Sequence, residues 1–195
     1  GRDLYRALLF LPWALPTLTS VLAWRWMLGD VGGIVNYGLL QLGLIDRPLG
    51  WLGDPALARF SVILVNVWRG APFFGISILS ALQAIPDYLY EAALIDGASS
   101  WQAFRRITLP AIQNVVALVT LVSTIWTLAD FEIIWIMTRG GPANATHVFS
   151  TFSYLTAFRN LDLAKGVAIS LFMVPFSLLL MIVTLRFVFR EEGGA

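Results

Sequence analysis

Three charged residues lie inside stretches of the chain that are otherwise strongly apolar: Arg69, Asp130 and Glu132. A charged side chain near the middle of a bilayer costs about 2.5–3.5 kcal/mol on insertion scales, so such residues face protein or water. In the sequence, Arg69 follows the amide side chain of Asn66 and the indole of Trp68. Together these three groups could line a path for a polar solute such as a sugar. The residues predicted to line this path are Asn66, Trp68, Arg69, Trp126 and Asp130.

Other interpretations of these charges remain open. Each charged side chain could form its own ion pair, or could extend so that its charged end reaches the membrane interface. Asp130 and Glu132 could instead carry protons or ions in an ion-coupled secondary transporter. A third alternative is a structural membrane subunit without a transport path.

Residues suited to catalysis or cofactor binding are scarce. The chain has no cysteine, one histidine (His147) and one lysine (Lys165), so it lacks a P-loop and any cluster of metal ligands. We expect His147 to be a solvated loop residue, and Ser123 and Thr124 to bond their own helix backbone. The sequence therefore predicts no catalytic residue, no metal site and no cofactor bound by this chain. A net charge of +1 gives no indication of a basic surface for binding nucleic acid.

Composition indicates the elements that position these residues. The chain is 58% hydrophobic and 13% charged, whereas soluble domains carry about 25% charged residues. About 20 apolar residues are needed to cross a bilayer. Four segments meet this length, and we predict one all-α polytopic transmembrane helical bundle over 1–195. The predicted spans are 7–28, 57–82, 111–137 and 166–189, with outer loops 29–56 and 138–165.

The remaining loop, residues 83–110, has the local chemistry of a helical hairpin. Pro86 suits a first helical position, and Gly97 can adopt the left-handed conformation that ends a helix. Ser99 and Gln102 predict a capping box that opens a second helix. Pro110 is expected to close the hairpin. In the outer loop 29–56, Trp51 is expected to anchor at the headgroup level.

This hairpin resembles the cytoplasmic coupling loop of permease subunits in bacterial binding-protein-dependent ABC importers. The family's Glu-Ala-Ala, its glycine four residues later and its Ile-x-Leu-Pro correspond to Glu91, Ala92, Ala93, Gly97, Ile107, Leu109 and Pro110. Gly33, Asn36 and Leu39, then Trp51-Leu52 and Asp54-Pro55, are similar to the carbohydrate (maltose and glycerol-phosphate type) branch. So is the turn Thr138-x-Gly140-Gly141-Pro142.

The resemblance implies a type I ABC importer permease in the bacterial inner membrane, with residues 83–110 in the cytoplasm. Counting arginine and lysine does not decide this orientation, because the two sides are nearly balanced. The expected partners are a second permease, two ATPase subunits that hold ATP and Mg, and an extracytoplasmic solute-binding protein or lipoprotein. The predicted ATPase-coupling residues are the seven above together with Asp96 and Ala98, and Glu91 is the charge expected to hold the loop to its partner. Family members have about six spans, so two spans are expected before Gly1.

Overall fold

The computed structural model describes the backbone of residues 9–192, with side chains through Arg186 and at Val188. Within this part the regular secondary structure is helical, as predicted. The elements are α1 (residues 9–14), α2 (Thr17–Met27), α3 (Ile34–Gln41), α4 (Pro55–Gln83), α5 (Asp87–Ile95), α6 (Ser100–Ala103), a first π turn (Phe104–Thr108), α7 (Leu109–Ala129), α8 (Glu132–Met137), α9 (Phe149–Tyr154), a second π turn (Leu155–Arg159) and α10 (Leu163–Glu192).

Three helices in the described part are long and apolar enough to cross a membrane: Pro55–Gln83, Ser100–Ala129 and Leu163–Arg186. The predicted span 57–82 lies within the first of them. The predicted span 166–189 begins three residues inside α10. Within an 18-residue apolar stretch of each helix, only 11%, 17% and 6% of the residues, respectively, are buried inside the chain. Most of the surface of these helices is therefore left for lipid or for other subunits.

The predicted first span, 7–28, is not a single helix in the described residues 9–28. The helix stops at residue 14, and Pro16 lies at the N-cap of α2 with an extended ψ of 137°. Proline has no amide hydrogen and disfavours helical geometry in the residue before it, so the chain breaks there. Residues 7 and 8 lie outside the described residues.

The predicted third span, 111–137, is not a single helix either. The continuous helix begins at Ser100, inside the predicted loop, and ends at Ala129. Asp130 then takes an extended ψ of 124° before the short helix α8 begins at Glu132. An extended residue cannot continue the helical hydrogen bonds, so Asp130 marks a break within the apolar segment.

The long helices pack on one another around a small core. Helix α4 packs on α7, α10 packs on α7 and α9, and α2 packs on α8. The start of α4 is fixed by Asp54, whose Oδ1 accepts hydrogen bonds from the amides of Ala56 and Leu57, both at 2.9 Å. The buried hydrophobic cluster consists of Val21, Leu28, Val65, Ile133 and Met137.

The outer segment 29–56 is organised by Asn36, which is buried at 3% exposure. Its Nδ2 donates to the Leu49 carbonyl at 3.0 Å, and its Oδ1 accepts from the Leu49 amide and the Trp51 indole, both at 3.0 Å. Trp51 also packs against the hydrophobic cluster. The Trp51 indole N–H thus has a partner inside the protein, and its anchoring at the headgroup level stays a prediction.

Candidate functional site

The hairpin between α4 and α7 turns at Gly97, whose φ is +71°. Around this glycine the Ala98 amide donates to the Ala93 carbonyl at 2.9 Å, and the Gly97 amide donates to the Leu94 carbonyl at 3.1 Å. This pair of bonds is the Schellman motif that ends α5. No atom lies within 4 Å of where a Cβ at Gly97 would be, so the backbone conformation alone favours glycine here. The predicted left-handed turn is confirmed.

The second arm of the hairpin begins with the predicted capping box. The Gln102 amide donates to Ser99 Oγ at 3.3 Å, and the Ser99 amide donates to Gln102 Oε1 at 2.8 Å. On the first arm, Pro86 is the N-cap of α5, one residue before the predicted position.

Pro110 does not close the hairpin, contrary to the prediction, because the helix continues through it to Ala129. The π turn Phe104–Thr108 comes immediately before, and in it the Leu109 amide donates to the Phe104 carbonyl five residues earlier. The wider turn accommodates a residue that has no amide hydrogen and would otherwise clash with the preceding turn. The Tyr90 and Thr108 hydroxyl oxygens lie 2.8 Å apart and join α5 to this π turn.

A groove of about 320 Å³ runs between the two arms of the hairpin. Five of the nine predicted coupling residues line it, namely Ala93, Asp96, Gly97, Ala98 and Ile107. The other four, Glu91, Ala92, Leu109 and Pro110, are exposed and lie outside the groove. Glu91 has no ion-pair partner among the described residues.

The tip of the hairpin exposes large apolar side chains. Leu94 is 76% exposed and Ile95 is 86% exposed, both on the last turn of α5. Contiguous exposed apolar residues beside a groove are typical of a surface that another protein covers. The hairpin therefore has the shape and the chemistry of a protein-docking element.

An inner cavity of about 210 Å³ lies between α1, α4, α7 and the break at Asp130. Four of the five residues predicted to line a solute path are on its wall: Asn66, Arg69, Trp126 and Asp130. Trp68 is not among them, because its ring packs edge-on against Trp24 with centroids 5.5 Å apart. The structure therefore brings four predicted path residues together and places the fifth in a packing contact.

Polar contacts fix the wall of the inner cavity. Asn66 Nδ2 donates to Thr127 Oγ1 at 3.3 Å, which links α4 to α7. At the break, Asp130 Oδ1 accepts from the Ile133 amide at 3.2 Å, and the Asp130 carbonyl accepts from Ser150 Oγ at 2.6 Å. No ion pair joins Arg69 to Asp130 in the described part of the chain.

An outer cavity, also about 210 Å³, adjoins the inner one. The two share four wall residues, Asn66, Thr127, Asp130 and Ile133. The outer cavity adds Arg59 from α4 and His147 from the loop after the Gly-Gly-Pro turn. The two cavities are therefore adjacent and have these four residues as their common wall.

His147 is partly buried, which corrects the expectation of a solvated residue. A Cβ at Gly140 would lie 2.0 Å from His147 Cε1, so the imidazole packs on a glycine that has a φ of +87°. Its Nδ1 lies 3.1 Å from Thr151 Oγ1. Burial disfavours the charged imidazolium and lowers the pKa of His147 below its ordinary value of 6.5.

Several wall residues were not predicted from the sequence. On α7 these are Ser123 and Thr127, and on α4 they include Phe73 and Gly70. The first two share a helix face with Trp126 and Asp130, and Phe73 shares one with Asn66 and Arg69, since residues three or four apart are neighbours on a helix. This spacing could have identified them. The wall residues Arg59 and His147 depend on how a loop folds over α4, for which the sequence has no comparable signal.

Comparison with known proteins places the whole chain among membrane components of transport systems. The sequence profile described as "binding-protein-dependent transport system inner membrane component" matches residues 1–192. A probable ABC transporter permease protein of Brucella suis is 40% identical over 98% of this chain and 66% of its own length. The trehalose/maltose transport system permease protein MalF of Thermococcus litoralis is 41% identical over 88% of this chain and 57% of its own length.

Among solved structures, the chain is similar to a bacterial ABC transporter involved in the import of the acidic polysaccharide alginate. The TM-score is 0.84 at 28% identity, and the match covers 97% of this chain and 66% of the other. The chain thus spans less than two thirds of the length of these relatives.

Proposed function

Since this chain belongs to the family of binding-protein-dependent transport system inner membrane components, we propose that it is a membrane-spanning permease subunit of an ATP-driven sugar importer. It would work with a second, homologous permease, two ATPase subunits and an extracytoplasmic solute-binding protein. ATP and Mg would be bound and ATP hydrolysed on the ATPase subunits. The names of the relatives support the substrate class, because one is a trehalose/maltose permease and one belongs to an alginate importer.

The hairpin is the observation that carries this proposal. Its Schellman turn, its capping box and the groove between its arms form a compact docking element joined to two membrane-length helices. Helices α5 and α6 both lie in the predicted coupling loop 83–110. A partner that moves this element must also move α4 and α7, because the hairpin connects them directly.

The proposed mechanism is alternating access. Closure of the ATPase subunits around ATP pushes on the hairpin near Glu91–Gly97. The helices that line the two cavities then rock as rigid bodies. The space between α4 and α7 then opens outward and receives sugar from the binding protein. It reverts to face inward after hydrolysis.

The inner cavity suits a sugar ring. Phe73 and Trp126, with ring centroids 5.0 Å apart, offer aromatic faces for the apolar side of the ring. Asn66, Arg69 and Asp130 supply amide, guanidinium and carboxylate groups for its hydroxyls.

The structure gives no support to the ion-coupled alternative. Asp130 lines both cavities, whereas Glu132 is exposed on the first turn of α8 and lines neither. Two carboxylates that carry one ion or proton along a path should face the same space. The comparisons likewise give the family as a binding-protein-dependent system.

The proposal is tested by substitutions at the turn of the hairpin. Gly97→Val should separate ATP hydrolysis from uptake or release the ATPase subunits, because a β-branched residue disfavours a φ of +71°. Gly97→Asn should retain most function, since asparagine tolerates the left-handed region. Gly38→Val is the matched control, because a Cβ at Gly38 also meets no atom within 4 Å but its φ is not in the left-handed region.

The measurements are co-purification of the ATPase subunits, ATP hydrolysis and sugar uptake in proteoliposomes. Normal uptake by Gly97→Val would contradict the coupling role of the hairpin. Uptake that continues without an ATPase partner and is abolished by an uncoupler would favour the ion-coupled transporter instead.

A further inference from the structure

The short helix α8 is separated from α7 and packs on α2 and α4 instead. Asp130 has an extended ψ of 124°, so the helical hydrogen bonds of α7 do not continue into α8. On the other side, Ile133 and Met137 belong to the same buried cluster as Val21 of α2. Because α8 has only six residues, these contacts rather than its own length fix its position.

A hydrogen bond from a charged side chain adds to this packing. Arg25 Nη1 on α2 donates at 3.0 Å to the carbonyl of Ile136, which lies 111 residues away in the last turn of α8. The last carbonyls of a helix lack helical donors and carry its partial negative charge, so a guanidinium suits them. The Gly140 amide, which could have continued the helix to this carbonyl, donates to Thr138 Oγ1 at 3.3 Å. Arg25 therefore caps the free end of α8 from a neighbouring helix.

The chain also breaks between α1 and α2, beside the inner cavity. Pro16 is the N-cap of α2 and has an extended ψ, so α2 does not continue α1. Trp13, near the end of α1, lies on the wall of the inner cavity together with Asp130. Ile134 of α8, in contrast, lines the outer cavity and not the inner one. Both breaks thus border the inner cavity, and α8 extends from there along the outer one.

Helix α4 is continuous but is weakened at the same depth. Pro72 is buried within this helix. It has no amide hydrogen, so the Trp68 carbonyl loses its helical donor and the proline ring crowds that turn. The weakened turn carries Arg69 and Gly70, which both line the inner cavity. Val65, about one turn further out, belongs to the buried cluster that α4 shares with α2 and α8.

We infer that Arg25 is a positioning residue for transport. By holding the end of α8 on α2, it makes α2, α8 and the part of α4 before Arg69 a single outer unit. This outer unit rotates about Pro16, Pro72 and Asp130, and its rotation changes the width of the outer cavity. The inference rests on the proposed function as a permease and adds to it the element that opens the path outward.

Distances between spin labels test the outer unit directly. The chain has no cysteine, so labels can be attached to introduced cysteines once any cysteines of the partner subunits are replaced by serine. The pair Leu22→Cys and Glu132→Cys joins exposed positions on α2 and α8. The pair Leu118→Cys and Glu132→Cys joins α7 to α8 across Asp130. The full transporter, with its binding protein, is measured in proteoliposomes without nucleotide and with ATP and vanadate.

The two pairs should respond differently to the nucleotide. We expect the distance between Leu22 and Glu132 to stay within about 2 Å, the range of small helix shifts. The distance between Leu118 and Glu132 should change by more than that, because the break at Asp130 lies between them. A constant distance from Leu118 to Glu132 would show that α8 moves with α7, which would overturn the inference.

Substitutions of Arg25 test the hydrogen bond. Arg25→Met removes the donor and should broaden the distances between Leu22 and Glu132. It should also lower the sugar transported per ATP about fivefold, the loss expected for one hydrogen bond. Arg25→Lys keeps a cationic donor and should recover part of both effects. The matched control is Arg47→Met, at an exposed outer arginine that lines neither cavity.

An assembled Arg25→Met complex that equals the Arg47→Met control in distances and in sugar transported per ATP would overturn the role of Arg25. If Arg25→Met does not assemble, Arg25→Lys and the wild-type distances decide the question. An intact complex that shows the expected distances but transports no sugar would contradict the proposed sugar specificity and would support the outer unit.

Discussion

Asn66 on α4 donates a hydrogen bond to Thr127 on α7 across 61 residues of sequence, at 3.3 Å and at the wall shared by the two cavities. It is a direct polar link between the helix that enters the coupling hairpin and the helix that leaves it. The bond is therefore well placed to hold the two sides of the proposed path in register.

We predict that Asn66→Ala and Thr127→Val each lower sugar uptake, and that the double substitution is scarcely worse than either one. A neutral hydrogen bond contributes about 0.5–1.5 kcal/mol net, so the coupling calculated from uptake rates should be near 1 kcal/mol. Thr120→Val, on the same helix but on neither cavity, serves as the control. Strictly additive losses would show that the two side chains act independently.

A second prediction concerns the bond between Tyr90 and Thr108. Tyr90→Phe or Thr108→Val removes the link between α5 and the π turn while it keeps most of the side-chain volume. We expect ATP hydrolysis to continue while sugar transported per ATP falls about fivefold, the effect of losing roughly 1 kcal/mol. The measurement is the ratio of uptake to hydrolysis in proteoliposomes, with Tyr37→Phe on the outer helix α3 as the control. An unchanged ratio would mean that this hydrogen bond takes no part in coupling ATP hydrolysis to sugar uptake.

A third prediction follows from the burial of His147. Because burial lowers the pKa of His147, the unfolded chain binds a proton more readily than the folded one as pH falls through the ordinary value of 6.5. Stability due to the neutral imidazole is therefore present above pH 6.5 and is lost below it. We expect the thermal unfolding midpoint of the complex to decrease as the pH is lowered from about 7.5 to about 5.5. This decrease should be smaller in the His147→Gln variant. An equal fall in both proteins would assign the dependence to other groups.

The hairpin could be predicted from the sequence because its determinants are local. A glycine at the left-handed position and a serine three residues before a glutamine act within a few residues, and the structure shows both motifs. The prolines were less predictable. Pro16 ends a helix and Pro110 does not, because a π turn before Pro110 takes up the missing hydrogen bond and nothing comparable precedes Pro16.

The candidate path could be predicted only in part. The energetic penalty for charge in a bilayer singled out Arg69 and Asp130, and both line the inner cavity. The partial burial of His147 was not predicted, because its neighbour Gly140 comes into contact with it only when the outer segment folds. The hydrogen bond from the Trp51 indole to Asn36 was likewise not predicted, because the local sequence does not show which tertiary contact a tryptophan makes.

In the proposed mechanism, the helix from Ser100 to Ala129 carries motion from the hairpin into the apolar segment. With a rise of 1.5 Å per residue its 30 residues span about 45 Å, from the capping box at Ser99 to the wall of the inner cavity at Trp126 and Thr127. A tilt of only about 5° at one end sweeps the other by about 4 Å, roughly the width of a methyl group. A small tilt of the hairpin would therefore be enough to change the width of the inner cavity at the far end of this helix.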